Sequence, residues 1–196
     1  MASRRPGGGQ LRIIGGRHRG HRLPVPAQRG LRPTTDRVRE TLFNWLQPAI
    51  TGARCLDLFA GSGALGLEAA SRGAARIVMV ERAGAVVRQL VRNVATLGED
   101  RIEVIHTDAL RWLNHDGQPF DIVFVDPPFA DGLLVPACES LNRNQWLASG
   151  ALVYLEWSAR APIQALPAGW DLTREKKAGE VRYGLVRVDA ETAGGV

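Results

Sequence analysis

The chain has 196 residues, 45% hydrophobic and 23% charged, a composition that suits one globular domain with a small extension and excludes wholesale disorder, collagen-like repeats and a bare coiled coil. Its longest charge-free stretch, Thr41 to Ala53, is 13 residues, short of the ~18 that span a bilayer, so no membrane partner is expected. The formal net charge of +5 is unevenly placed: residues 1–39 hold ten arginines against one acid, Asp36, for +9, which leaves −4 for residues 40–196. Basicity gathered in one segment is what an arm for a polyanion requires.

In chain order, Leu11 to Ile14 and His21 to Val25 are short apolar-rich runs around Gly15-Gly16-Arg17-His18-Arg19-Gly20, which predicts a small hairpin with an arginine-rich tip. Val38, Leu42, Trp45, Leu46 and Ala49 recur at helical spacing. Thr35 or Asp36 can cap that helix, and Pro48 sits near its stop. Five apolar strands follow, Cys55–Phe59, Ile77–Val80, Ile102–Ile105, Ile122–Val125 and Leu152–Leu155, with helix-length segments near 64–72, 83–97, 108–115 and 133–147 between them. Strands apolar throughout are covered on both faces, so the fold class is α/β, a doubly wound and mostly parallel sheet. Trp170 to Lys177 and Val181 to Val188, turning at Gly179-Glu180, predict an antiparallel hairpin on the sheet edge.

Cys55 and Cys138 lie 83 positions apart with no CxxC and no histidine cluster nearby. Neither a disulfide framework nor a metal site is expected, and a reducing cytoplasm fits. The start, Met1-Ala2-Ser3-Arg4-Arg5, has the charge of a targeting signal, but Pro6 to Gln10 supply no apolar segment behind it, so no export is expected.

Gly61-Ser62-Gly63-Ala64-Leu65-Gly66 follows a strand and opens a helix, the context in which a GxGxxG loop brings backbone close to a nucleotide cofactor. Glu81 closes the next strand, 20 residues after Gly61, where a carboxylate can accept both hydroxyls of an adenosine ribose. NAD-like dinucleotides and S-adenosylmethionine both fit so far. Asp57, four residues before Gly61, would repel a pyrophosphate but can pair with the ammonium of a methionine moiety, which favours S-adenosylmethionine. Asp108 is placed either to accept from an adenine amine or to cap the helix that follows.

Asp126-Pro127-Pro128-Phe129 ends the fourth strand of the sheet, and open α/β sheets bind ligands at the carboxyl ends of their strands. Paired prolines lack N–H groups and hold the backbone extended, so the Asp126 side chain and the Pro127 carbonyl both present acceptors. Two acceptors can hold both N–H groups of an exocyclic amine and aim its lone pair at an electrophile. Phe129 offers a face for stacking a planar base.

Arg32-Pro33-Thr34-Thr35-Asp36-Arg37-Val38-Arg39-Glu40 before an amphipathic helix, the segment Asp57 to Gly66, and Asp126-Pro127-Pro128-Phe129 together resemble the bacterial small-subunit (16S) ribosomal RNA guanine-N2 methyltransferases, the RsmD family, from about Leu11 to Val188. The resemblance implies a Rossmann-like class I S-adenosylmethionine-dependent methyltransferase fold with a small N-terminal hairpin. It implies that Ala60, Gly61 and Gly63 line the cofactor, with Asp57 at its methionine end, Glu81 on the ribose and Asp108 on the adenine. Asp126, Pro127 and Phe129 would hold the target guanine, in 16S ribosomal RNA or the assembling small subunit. Related amine methyltransferases often carry Asn and Tyr at the first and last positions of the tetrapeptide, so Asp126 and Phe129 depart from the adenine-specific pattern. The expected organisation is a flexible basic tail over 1–10, a basic hairpin arm over 11–34, a methyltransferase domain over 35–189 and a frayed tail over 190–196, acting as a monomer.

Residues 1–30 hold seven arginines and no acid or aromatic residue. Arg12, Arg17, Arg19, Arg22, Arg32 and Arg37 are expected to grip RNA phosphates, with His18 and His21 on the same basic surface, while the crevice selects the base. The five tryptophans, spread across elements, are expected to pack. The rivals are a DNA adenine-N6 or cytosine-N4 methyltransferase, which would need room for a target-recognition domain, and an NAD-dependent oxidoreductase, disfavoured by Asp57. A nucleic-acid-binding module with a degenerate cofactor site is opposed by the intact glycine loop, Glu81 and the tetrapeptide.

Overall fold

In the computed structural model, which describes residues 9–27, 35–162 and 166–189, β1 (Gly9–Arg12) and β2 (Arg22–Val25) form an antiparallel hairpin with Leu11 opposite Leu23. Leu11, Ile13, Leu23 and Val25 are buried, so the hairpin contributes to the core. Helix α1 (Asp36–Leu46) starts at Thr35, whose side chain accepts from the Val38 amide at 3.4 Å, and buries Val38, Leu42, Phe43 and Leu46 along one stripe. Residues 1–8 of the expected basic tail over 1–10, Arg32 and the C-terminal tail from 190 lie outside the described residues.

The main sheet has the order β5-β4-β3-β6-β7-β9-β8. Its parallel strands are β3 (Arg54–Asp57), β4 (Arg76–Glu81), β5 (Ile102–His106), β6 (Phe120–Val125) and β7 (Leu147–Ser158); β8 (Trp170–Ala178) and β9 (Val181–Val188) close the edge antiparallel. The crossovers carry α2 (Ala64–Ser71), α3 (Gly84–Leu97), α4 (Ala109–Leu113) and α5 (Leu134–Arg143). One core joins Cys55, Ile77, Met79, Ile122 and Phe124 to α1, α2, α3 and the hairpin. The other joins Leu56, Val78, Val80, Val123 and Val125 to α4 and α5. The continuous apolar strands are thus explained by burial on both faces. The chain winds from β3 outward to β5, then returns to add β6 and β7 on the other side, which opens a crevice at the carboxyl ends of β3 and β6.

Three local features depart from the expected pattern. The helix before β7 ends at Arg143 and the strand begins at Leu147, because Asn144 Nδ2 and Trp146 Nε1 both donate to the Leu113 carbonyl, at 2.6 and 3.0 Å, and Gln145 turns the chain at φ 57°. A single 3₁₀ turn, Phe129–Asp131, follows the tetrapeptide's prolines. His18 does not join the basic surface: it is buried, with Nε2 2.6 Å from Glu99 Oε1 and its amide on Ser71 Oγ at 2.9 Å, whereas His21 is exposed.

A polar joint docks the hairpin. Ile14 and Gly15 donate to the two oxygens of fully buried Glu68, each at 2.8 Å. Arg39, 1% exposed, donates through Nη2 to the Arg12 carbonyl at 2.9 Å and to Asp36 at 2.6 Å, and its Nη1 lies 3.6 Å from Glu68. A buried charge is tolerated when it is paired and hydrogen-bonded in this way. Asp36 and Arg39, both in the segment 32–40 that carries the resemblance, therefore serve this joint.

Candidate active site

A cavity of about 580 Å³ opens at the carboxyl ends of the parallel strands, and its lining follows their order. Asp108 follows β5, Glu81 ends β4, Asp57 ends β3, Asp126 follows β6, Glu156 lies near the end of β7, and Val181 starts β9. Thr35 and Val38 reach the same cavity from the start of α1.

The glycine loop is shaped by its neighbours. Gly63 sits at φ 79°, a left-handed conformation, and a Cβ there would meet Leu90 Cδ2 at 2.6 Å. A Cβ on Gly66 would stand 2.5 Å from Met79 Sδ. Glu81 holds the loop: its Oε2 accepts from the Gly61 amide at 3.0 Å and its Oε1 from the Ala83 amide at 2.7 Å. Asp57, 2% exposed, accepts from the Gly66 amide at 2.9 Å. Burial pushes its carboxyl up to about 7, opposed by the Gly66 N–H and reinforced by the Glu81 charge. Asp108 is the cap of α4, accepting from the Arg111 amide at 3.0 Å, and it also lines the cavity. Ala60 and Gly61 complete this wall.

Asp126 is half-buried and Pro127 buried, while Phe129 stands 41% exposed at the cavity rim. An apolar ring held outward beside a polar cavity is suited to stacking. Arg82, just past β4, pairs with Asp131 of the 3₁₀ turn at 3.1 Å and so joins two sides of the cavity wall.

Among the described residues the cavity's charged lining is acidic, with Asp57, Glu81, Asp108, Asp126, Asp131 and Glu156 against Arg82, which is itself paired. Such a set of acceptors suits a nucleoside carrying a cationic amino-acid end and opposes a pyrophosphate. Among the described residues, no group of three or more metal-ligating side chains occurs and no helix is long and apolar enough to cross a membrane.

Glu156 was not among the sequence candidates. It is 6% exposed and its Oε1 accepts from the Tyr154 hydroxyl at 2.5 Å. Burial, then the Glu156 carboxylate, hold the Tyr154 phenol well above its ordinary range, so it remains a donor. An acid inside the apolar run Leu155-Glu156-Trp157 was the available signal. The arginines Arg12, Arg17, Arg19, Arg22 and Arg37 are exposed and outside the cavity lining, with Arg12 paired to Asp36 at 3.0 Å.

Parallel strands in the order β5-β4-β3-β6-β7, with antiparallel β9 and β8 completing the edge, define the class I S-adenosylmethionine-dependent methyltransferase fold. The family described as Conserved hypothetical protein 95 matches residues 11–187. The chain is 54% identical over 185 residues to Ribosomal RNA small subunit methyltransferase D of Escherichia coli (strain K12), covering 94% of this chain and 93% of that protein. It is 46% identical over 181 residues to the Haemophilus influenzae protein of the same name, covering 90% and 93%. The solved structure of Escherichia coli yhhF matches with a TM-score of 0.89 at 52% identity, over 93% of this chain and 99% of that one. The chain belongs to the ribosomal RNA small subunit methyltransferase D family.

Proposed function

We propose that this protein transfers a methyl group from S-adenosylmethionine to the exocyclic N2 of a guanine in 16S ribosomal RNA, acting as a cytoplasmic monomer on naked RNA or the assembling small subunit. The observation that carries this is the Asp126-Pro127-Pro128-Phe129 segment leaving β6 into the same cavity as the glycine loop and Glu81. The names of the relatives support the RNA, and the sequence resemblance supports the guanine.

Glu81 would hold the ribose hydroxyls, Asp57 the ammonium, Asp108 the adenine amine, and Ala60 and Gly61 the remaining backbone contacts, while Gly63, outside the cavity lining, would shape the turn behind them. Bound there, the cofactor supplies an electrophilic methyl group. The target base leaves its stack to reach the cavity, and Phe129 stacks against it. The Asp126 carboxylate and the Pro127 carbonyl accept the two amine hydrogens and turn the nitrogen lone pair toward the methyl. Asp126, already accepting from the amine in this scheme, would also take the proton the amine releases. Residues 35–189 form the methyltransferase domain, and the arm over 11–34 brings Arg12, Arg17, Arg19, Arg22 and Arg32, with Arg37 beside it, to RNA phosphates.

The test is transfer of labelled methyl from S-adenosylmethionine to naked small-subunit ribosomal RNA, to assembled small subunits and to duplex DNA. Label in either RNA substrate and none in DNA is expected. Label in DNA would favour an amine methyltransferase of the DNA type.

A further inference from the structure

Next to Asp126 the fold sets a second carboxylate. β6 and β7 are parallel neighbours with Val125 opposite Leu155, so Asp126 and Glu156 each come one residue after a paired position and stand side by side. Both line the cavity. Neighbouring strands are about 4.8 Å apart, a spacing from which two side chains can converge on adjacent atoms of one base. Tyr154, two residues before Glu156 and on the same face of β7, fixes that carboxylate through its 2.5 Å hydrogen bond. The Tyr154 ring is itself held between Phe124 and Tyr183, at 6.4 and 6.3 Å between centroids.

We propose that Glu156 accepts the ring N1–H of the target base and thereby selects guanine, an inference that rests on the guanine-N2 reading above and names the group that enforces it. An ionised carboxylate is acceptor-only. Guanine alone among the four bases carries a ring N–H donor beside an exocyclic amine. Adenine and cytosine place a ring acceptor beside theirs, which would set lone pair against lone pair at Glu156, and uracil has the ring N–H but no amine. Two neighbouring acceptor groups, Asp126 with Pro127 for the amine and Glu156 for the ring, match the donor edge of guanine. A site built around a substrate N–H rejects an analogue lacking it, because its buried acceptor is then left facing another acceptor.

The test uses the full chain and small-subunit ribosomal RNA, naked and reconstituted into subunits. Once the methylated guanosine is mapped, it is replaced by 2,6-diaminopurine, which keeps the 2-amine but turns N1 into an acceptor. The wild type should prefer guanosine by roughly 5- to 150-fold in kcat/KM. In Glu156→Gln the Tyr154 hydroxyl can still donate to the amide oxygen, which leaves the NH₂ toward the base. That preference should collapse or invert, with S-adenosylhomocysteine affinity retained. Equal loss on both RNAs, or loss of S-adenosylhomocysteine affinity along with activity, overturns the assignment of Glu156 and leaves the guanine reading standing. A wild type that makes no N2-methylguanosine on either form of the RNA overturns that reading itself.

Discussion

The Gly61 amide donates to Glu81 Oε2 across 3.0 Å, which ties the glycine loop to the end of β4 through one side chain. The same carboxylate takes the Ala83 amide at 2.7 Å, so its position is set before any ligand arrives. Glu81→Ala should therefore weaken S-adenosylhomocysteine binding by about 1.5–3 kcal/mol in calorimetry, the range for hydrogen bonds to a charged group. Unchanged affinity would remove Glu81 from the cofactor site.

Asp57 should give that binding a pH dependence. Its carboxyl is pushed up to about 7 by burial from 3.8, so between those values the folded protein holds a proton that the unfolded chain has released. Stability from this group is full at low pH and is lost as pH rises through that window. A ligand ammonium beside Asp57 favours the ionised form, so affinity for S-adenosylhomocysteine should be about tenfold lower at pH 6 than at pH 8, with proton uptake by buffer on binding. Asp57→Asn, which can still accept from Gly66, should flatten the profile. Equal wild-type affinities at the two pH values would contradict this role.

Asp126 and Phe129 should separate chemistry from capture. Asp126→Ala is expected to lower kcat by roughly 10²–10³-fold, the scale for losing one preorganised electrostatic contact, with S-adenosylhomocysteine affinity within a few-fold. Phe129→Ala should raise KM for RNA by an amount equivalent to ~1–3 kcal/mol of stacking. Near-normal single-turnover rates for Asp126→Ala on RNA would disprove the acceptor-pair mechanism.

The arm's charge must be tested without removing the arm. Leu11, Ile13, Leu23 and Val25 are core residues and Glu68 holds the Ile14 and Gly15 amides, so a truncation would open the core. Changing Arg17, Arg19 and Arg22 together to Ala touches only exposed side chains. If all three meet phosphates, log affinity for RNA should fall with log salt ~2.1 to 2.7 units less steeply, at about 0.7 to 0.9 per contact. The melting temperature should stay close to wild type. An unchanged slope in the folded triple variant would show these arginines to be solvated surface.

The sheet and the positions of several cavity-lining residues were legible because their signals are local. Strands apolar throughout, helix-length spacers, and Gly61, Glu81 and Asp126 at strand ends each lie within a few residues of the element they belong to. What stayed hidden depends on partners far along the chain. His18 reads as one more basic residue until Glu99, 81 positions away, buries it. The early start of β7 is decided by Asn144 and Trp146 reaching the Leu113 carbonyl, 31 and 33 positions back. Glu156 gains its meaning only from strand order, since nothing in the run around it announces that β6 and Asp126 are its neighbours.

The identity of the methylated nucleoside separates guanine-N2 transfer from every rival chemistry. Small-subunit ribosomal RNA, naked and assembled, is incubated with the protein and S-adenosylmethionine, digested to nucleosides and resolved by mass spectrometry against N2-methylguanosine, N1-methylguanosine and N6-methyladenosine standards. N2-methylguanosine is expected with the wild type, and its loss with Asp126→Ala. Methyl groups on any other nucleoside, or N2-methylguanosine formed equally well without Asp126, would contradict it.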